Sequence, residues 1–180
     1  MRNSMKYTLV LAALALAFAP LSHAQTNSNV ANVNLNAVLS ETLTVAAAPG
    51  TVNFTLAPSG PVTGSSPVSI TTQWALASTR TNVSLYAYFT TTTALTNGVG
   101  NNIPNTSVSG NPNGAGMTAF NGSDPFNAVK TGLQIFSVPI TAANVNATHS
   151  DSLVLQIDTT GLGLPAGTYT GVLNIEAQAI

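Results

Sequence analysis

Hydrophobic and polar residues alternate most regularly at the C-terminal end of the chain. Tyr169, Gly171, Leu173, Ile175, Ala177 and Ala179 fall on one face. Thr168, Thr170, Asn174, Glu176 and Gln178 fall on the other, with Val172 as the exception. A period of two over this length predicts a strand with one buried face. The turn signal Leu164-Pro165-Ala166-Gly167 precedes it. The expectation is a long closing strand, with Gly167 permitting the turn and Tyr169 anchoring the start as a tyrosine corner.

The same alternation recurs upstream. Val33, Leu35, Ala37 and Leu39 alternate with Asn32, Asn34, Asn36 and Val38. Leu43 and Val45 follow, then Val52, Phe54 and Leu56 beyond the turn signal Pro49-Gly50. Val68, Ile70, Thr72, Trp74 and Leu76 form one clear face, which puts Trp74 in the core. Val83, Leu85, Ala87 and Phe89 form the next, and the closeness of these two runs predicts a hairpin. Residues 90–116 read as irregular, with a small hairpin around Asn97-Gly98. Leu133 and Ile135 are out of phase with Phe136, Val138 and Ile140, which predicts a bulge, and Pro139 marks an edge or a strand end. Leu153, Leu155 and Ile157 make a further strand. About nine short strands separated by turns, without a helix, predict an all-β antiparallel sandwich or barrel.

Residues 1–24 fall outside this pattern. Arg2 and Lys6 precede an apolar run from Leu9 to Ala19, Pro20 breaks it, and Ser22-His23-Ala24 places small residues where a signal peptidase reads. A cleaved signal peptide is expected, and with it a secreted protein whose residues 25–180 form one domain. The run is too short to span a bilayer comfortably, and no later apolar segment is long enough, so an integral membrane protein is not expected. There is no cysteine, so the fold relies on its core alone and a lipid anchor on cysteine is excluded. Beyond the leader the basic residues are Arg80 and Lys130, against five acids. Without a basic patch, nucleic acid is not expected as a partner. Scarce charge also removes one usual defence against edge-to-edge strand association.

Leu164-Pro165-Ala166-Gly167-Thr168-Tyr169-Thr170-Gly171, followed by alternating apolar residues, resembles the last strand of small secreted bacterial β-sandwiches of the spore coat protein U type, which are pilin-like. The Val52-Asn53-Phe54 strand after an early alternating run adds to the likeness. The resemblance implies an immunoglobulin-like sandwich at the cell surface and a fimbrial subunit assembled by strand donation. Val33, Leu35, Ala37 and Leu39 would then be the side chains that fill a neighbour's sheet. The simpler expectation is that residues 30–39 pair within their own domain. Members of that family often carry paired cysteines, and this chain departs from them there.

Catalytic and metal chemistry find little support. His149 is the one histidine beyond the leader, and it reads as an exposed turn residue without a marked nucleophile. A zinc ligand set is missing. Asn121, Ser123, Asp124 and Asn127 bring oxygens into one turn, but with a single acid the expected role is holding that turn rather than calcium. Tyr86 and Tyr88 lie opposite the apolar face of their strand and could form a surface for glycan stacking or subunit contact, unless a long loop covers them. No catalytic residue, metal or cofactor is expected. The sequence therefore reads as a non-enzymatic structural or adhesive protein, secreted or at the cell surface, of fimbrial type. Its partners would be itself or other surface subunits. A monomeric carbohydrate-binding or adhesin module, with glycans as partners, is the alternative.

Overall fold

The computed structural model describes residues 27–180. The expected signal peptide, residues 1–24, lies outside the described residues. The chain divides into two units between Val38 and Leu39. In the first, residues 27–38 form no helix or strand and are exposed. Val30, Val33, Leu35 and Val38 are each at least 80% exposed. The alternation at residues 30–39 does not form a strand. The run of asparagines there has poor strand propensity.

The second unit is an antiparallel all-β sandwich. Its strands are β1 (Thr42–Ala48), β2 (Pro61–Thr63), β3 (Val68–Ala75), β4 (Asn82–Tyr88), β5 (Thr93–Thr96) and β6 (Asn102–Pro104). They continue as β7 (Val108–Pro112), β8 (Thr118–Ala119), β9 (Gly132–Pro139), β10 (Asn146–Asp158) and β11 (Asn174–Ala179). One sheet runs β1-β3-β10-β7-β8, with β2 also on β10; the second runs β11-β4-β9; β5 and β6 make a separate hairpin. Val68, Ile70 and Trp74 of β3 and Leu153, Leu155 and Ile157 of β10 face Val83, Leu85 and Ala87 of β4 within one core cluster. The Trp74 indole N–H donates to the Asn144 carbonyl at 2.7 Å, so burial leaves its polar end satisfied.

Three expectations are corrected. The runs at 68–76 and 83–89 are not a hairpin: β3 and β4 lie in opposite sheets, and both edges of β4 are taken, by β9 and β11. The chain crosses between sheets at residues 76–81, where the Leu76 amide bonds to the Val145 carbonyl. His149 is not a turn residue. It sits within β10, half-buried, stacked on Phe136 at 4.3 Å between ring centroids. Its Nδ1 lies 2.9 Å from Asp151, a buried carboxylate that also accepts from the Asn113 side-chain Nδ2 at 2.7 Å. Finally, the closing strand is shorter than its alternation. Only Asn174–Ala179 joins a ladder, and it does so at the sheet's edge.

The bulge falls where the phase change placed it. Leu85 pairs with Phe136 and Tyr86 with Gln134, so Ile135 is the extra residue, and Leu133, Ile135 and Phe136 all reach the core.

Candidate functional site

β1 is one edge strand of the first sheet and β11 one edge strand of the second. Beside them run two extended segments that join no ladder among the described residues. Residues 51–56 alternate as a strand should: Val52, Phe54 and Leu56 are half-buried, and Thr51, Asn53 and Thr55 are exposed. Among the described residues, their backbone is tied only at Asn53, whose amide and carbonyl bond to the Ser65 hydroxyl and amide. Residues 164–173 form the facing segment. Their backbone joins its surroundings through Thr170, which exchanges two 2.9 Å hydrogen bonds with Thr96 of β5.

Between these segments lies a groove of about 970 Å³. Val52, Phe54 and Leu56 line one lip; Leu164, Tyr169 and Leu173 line the other. Val68, Phe89, Val108, Leu155 and Ile157 form its floor, so the groove opens directly onto the sandwich core. Among the described residues, no Asp, Glu, His, Lys or Arg lines it. Among the described residues, the backbone of both lips is unpaired apart from Asn53, Thr170 and the Pro165 carbonyl, and an apolar floor lies between them. These are what an added β-strand requires: hydrogen bonds from its main chain, and burial for every second side chain.

Two local features shape the second lip. The Tyr169 hydroxyl donates to the Pro165 carbonyl at 3.0 Å. Gly171 passes so close to β5 that a Cβ there would collide with the Ala94 carbonyl oxygen. Gly167, by contrast, has no positive φ and nothing within 4 Å of where a Cβ would be, so the turn does not depend on a glycine there.

The residues singled out in the sequence fall in separate places. Gly167 and Tyr169 line the groove, while Trp74 is core. Val33, Leu35, Ala37 and Leu39 are all exposed. Tyr86 and Tyr88 lie on the outer face of the β11-β4-β9 sheet, where Tyr86 is half-buried and Tyr88 is buried. The ring packed against them is Phe126, from the loop after β8 rather than from residues 90–116. Asp124 holds that loop: its Oδ1 accepts from the amides of Phe126 and Asn127. Among the described residues, no three His, Cys, Asp or Glu side chains cluster as metal ligands would. None of the described helices is long and apolar enough to cross a membrane.

The groove itself escaped the sequence reading. Its signal was present: two strand-like alternations, at 51–56 and 169–173, each following a Pro/Gly turn and neither with an evident partner.

No protein-family model matches the chain, and no curated protein is significantly similar to it.

Proposed function

We propose that this is a non-enzymatic structural or adhesive protein of the bacterial cell exterior, a fimbria-like subunit that joins its neighbours by strand donation. The observation that carries this reading is the groove that no charged side chain lines among the described residues, with sparsely bonded backbone on both lips. The donor is the segment 30–39 of a second copy. That segment supplies apolar side chains at every second position, carries no charge, and is exposed along its length. Its ten residues, at about 3.3 Å each, span a sheet edge of ordinary strand length with residues to spare. Burying two Leu and one Val side chain would contribute about 1.5–3 kcal/mol each, before the cost of ordering the segment. The export signal read at residues 1–24 supports a place outside the cytoplasm.

The test is the association state of the full chain. Light scattering on concentrated protein should show oligomers, and the double substitution Val33→Asp, Leu35→Asp should leave a folded monomer. A wild-type protein that stays monomeric at millimolar concentration would overturn the proposal.

A further inference from the structure

The outer face of the β11-β4-β9 sheet carries a second feature, on the opposite side of β11 from the groove. Tyr86 is central there. Gln134 of β9 pairs with it across one edge and Glu176 of β11 across the other. Above this row sits Phe126, which is half-exposed and lies outside the core cluster. Its ring stacks on Tyr88 at 5.4 Å and meets the Tyr86 ring at 81°, with centroids 6.1 Å apart. The two half-exposed rings thus form a corner.

The corner is held rigidly. The Phe126 amide donates to Asp124 at 2.9 Å, and the Asn127 side chain donates to the Phe89 carbonyl at 3.2 Å. The polar groups beside it are oriented too. The Gln134 amide donates to the Tyr86 hydroxyl at 3.4 Å, which leaves that hydroxyl's own proton free to donate outward. The Tyr88 hydroxyl donates to one Glu176 oxygen at 2.9 Å, and an ionised carboxylate keeps further acceptor capacity.

We infer that this corner is a binding site for a neutral saccharide. Aromatic rings present flat apolar faces for the C–H side of a pyranose, and fixed donors and acceptors beside them match its hydroxyls. The Glu176 carboxylate makes the face repulsive to sulfated or phosphorylated polymers, which selects an uncharged ligand. A buried protein interface would place an apolar core at its centre and leave charge at the rim. Here a carboxylate and two amides, Gln134 and Gln178, stand on the same face as the rings. The inference is independent of strand donation, because the two surfaces lie on opposite sides of β11.

The experiment is calorimetric titration of the full chain with cellohexaose, chitohexaose and mannohexaose, with dextran sulfate as the anionic probe. At least one neutral oligosaccharide should bind. Tyr86→Ala and Phe126→Ala should each weaken binding by about 10-fold, the equivalent of one aromatic contact. Gln134→Ala changes an exposed side chain and should weaken binding without altering the unfolding midpoint, so the site can be tested even if an aromatic variant misfolds. Failure of all three neutral probes overturns the inference. So does tighter binding of dextran sulfate, or binding that Phe126→Ala and Gln134→Ala both leave unchanged.

Discussion

The hydroxyl of Tyr169 reaches back four residues to the carbonyl of Pro165, at 3.0 Å, and so closes a loop within the second lip of the groove. This is the contact of a tyrosine corner. It stiffens a segment that has few other backbone bonds. Tyr169→Phe keeps the ring and removes the hydrogen bond, so it should lower stability by about 1 kcal/mol in urea denaturation. Amide exchange across residues 164–172 should quicken more than exchange in β3 or β10.

The two glycines of the same lip should behave oppositely. At Gly171 an added methyl meets the Ala94 carbonyl and comes within 3.2 Å of the Leu95 backbone, so β5 must move. Gly171→Ala should cost about 1–3 kcal/mol, as overpacking does. Gly167→Ala meets nothing and should stabilise by about 0.4–1 kcal/mol through the unfolded chain. Thermal melts of the two variants beside the parent decide this.

Glu41, next to β1, accepts from Arg80 Nη2 at 2.7 Å and Nε at 3.1 Å, and from the Ala77 amide at 2.7 Å. The hydrogen bond from Arg80, then that from the Ala77 amide, lowers its pKa from 4.5 to about 2. A depressed folded-state pKa contributes stability that is present above the unfolded value and lost as pH falls through the folded one. Melting temperatures of the parent and Glu41→Gln should therefore differ by a constant amount above pH 5. The gap should close between pH 4.5 and about 2. The pair is partly exposed, so the gap should be small and should shrink with added salt.

Asp151 is buried, and its two oxygens are taken by the Asn113 amide and by His149. Asp151→Ala takes the acceptor away from the half-buried His149 and from the exposed Asn113 side-chain amide. It should cost about 1–3 kcal/mol, measured by denaturant unfolding with the slope unchanged.

Which parts of this fold could be read in advance follows from what alternation encodes. It reports which side chains turn inward, and it does so at the half-buried Val52, Phe54 and Leu56, at β3 and β4, and through the phase change at Ile135. It says nothing about which edge meets which. β3 and β4 looked like a hairpin because they are near in sequence, but their pairing is settled by which strands close on either side. For the same reason the unladdered segments at 51–56 and 164–173 read as ordinary strands. His149 was misplaced because Thr148, Ser150 and Ser152 are residues common in turns, yet they occupy the outer face of a long central strand. Phe126 was overlooked because a single aromatic among Asp, Pro and Asn in a loop carries no periodic signal.

Trp74 is the one tryptophan in the chain. It is 4% exposed and stacked near Phe136, and it lines neither the groove nor the aromatic corner. Its emission is thus an optical reporter of the sandwich interior alone. A red shift signals that the two sheets have parted, while filling the groove or the corner should leave the spectrum nearly unchanged. Every variant above can therefore be sorted by one fluorescence trace into those that unfold the domain and those that alter a surface of an intact one.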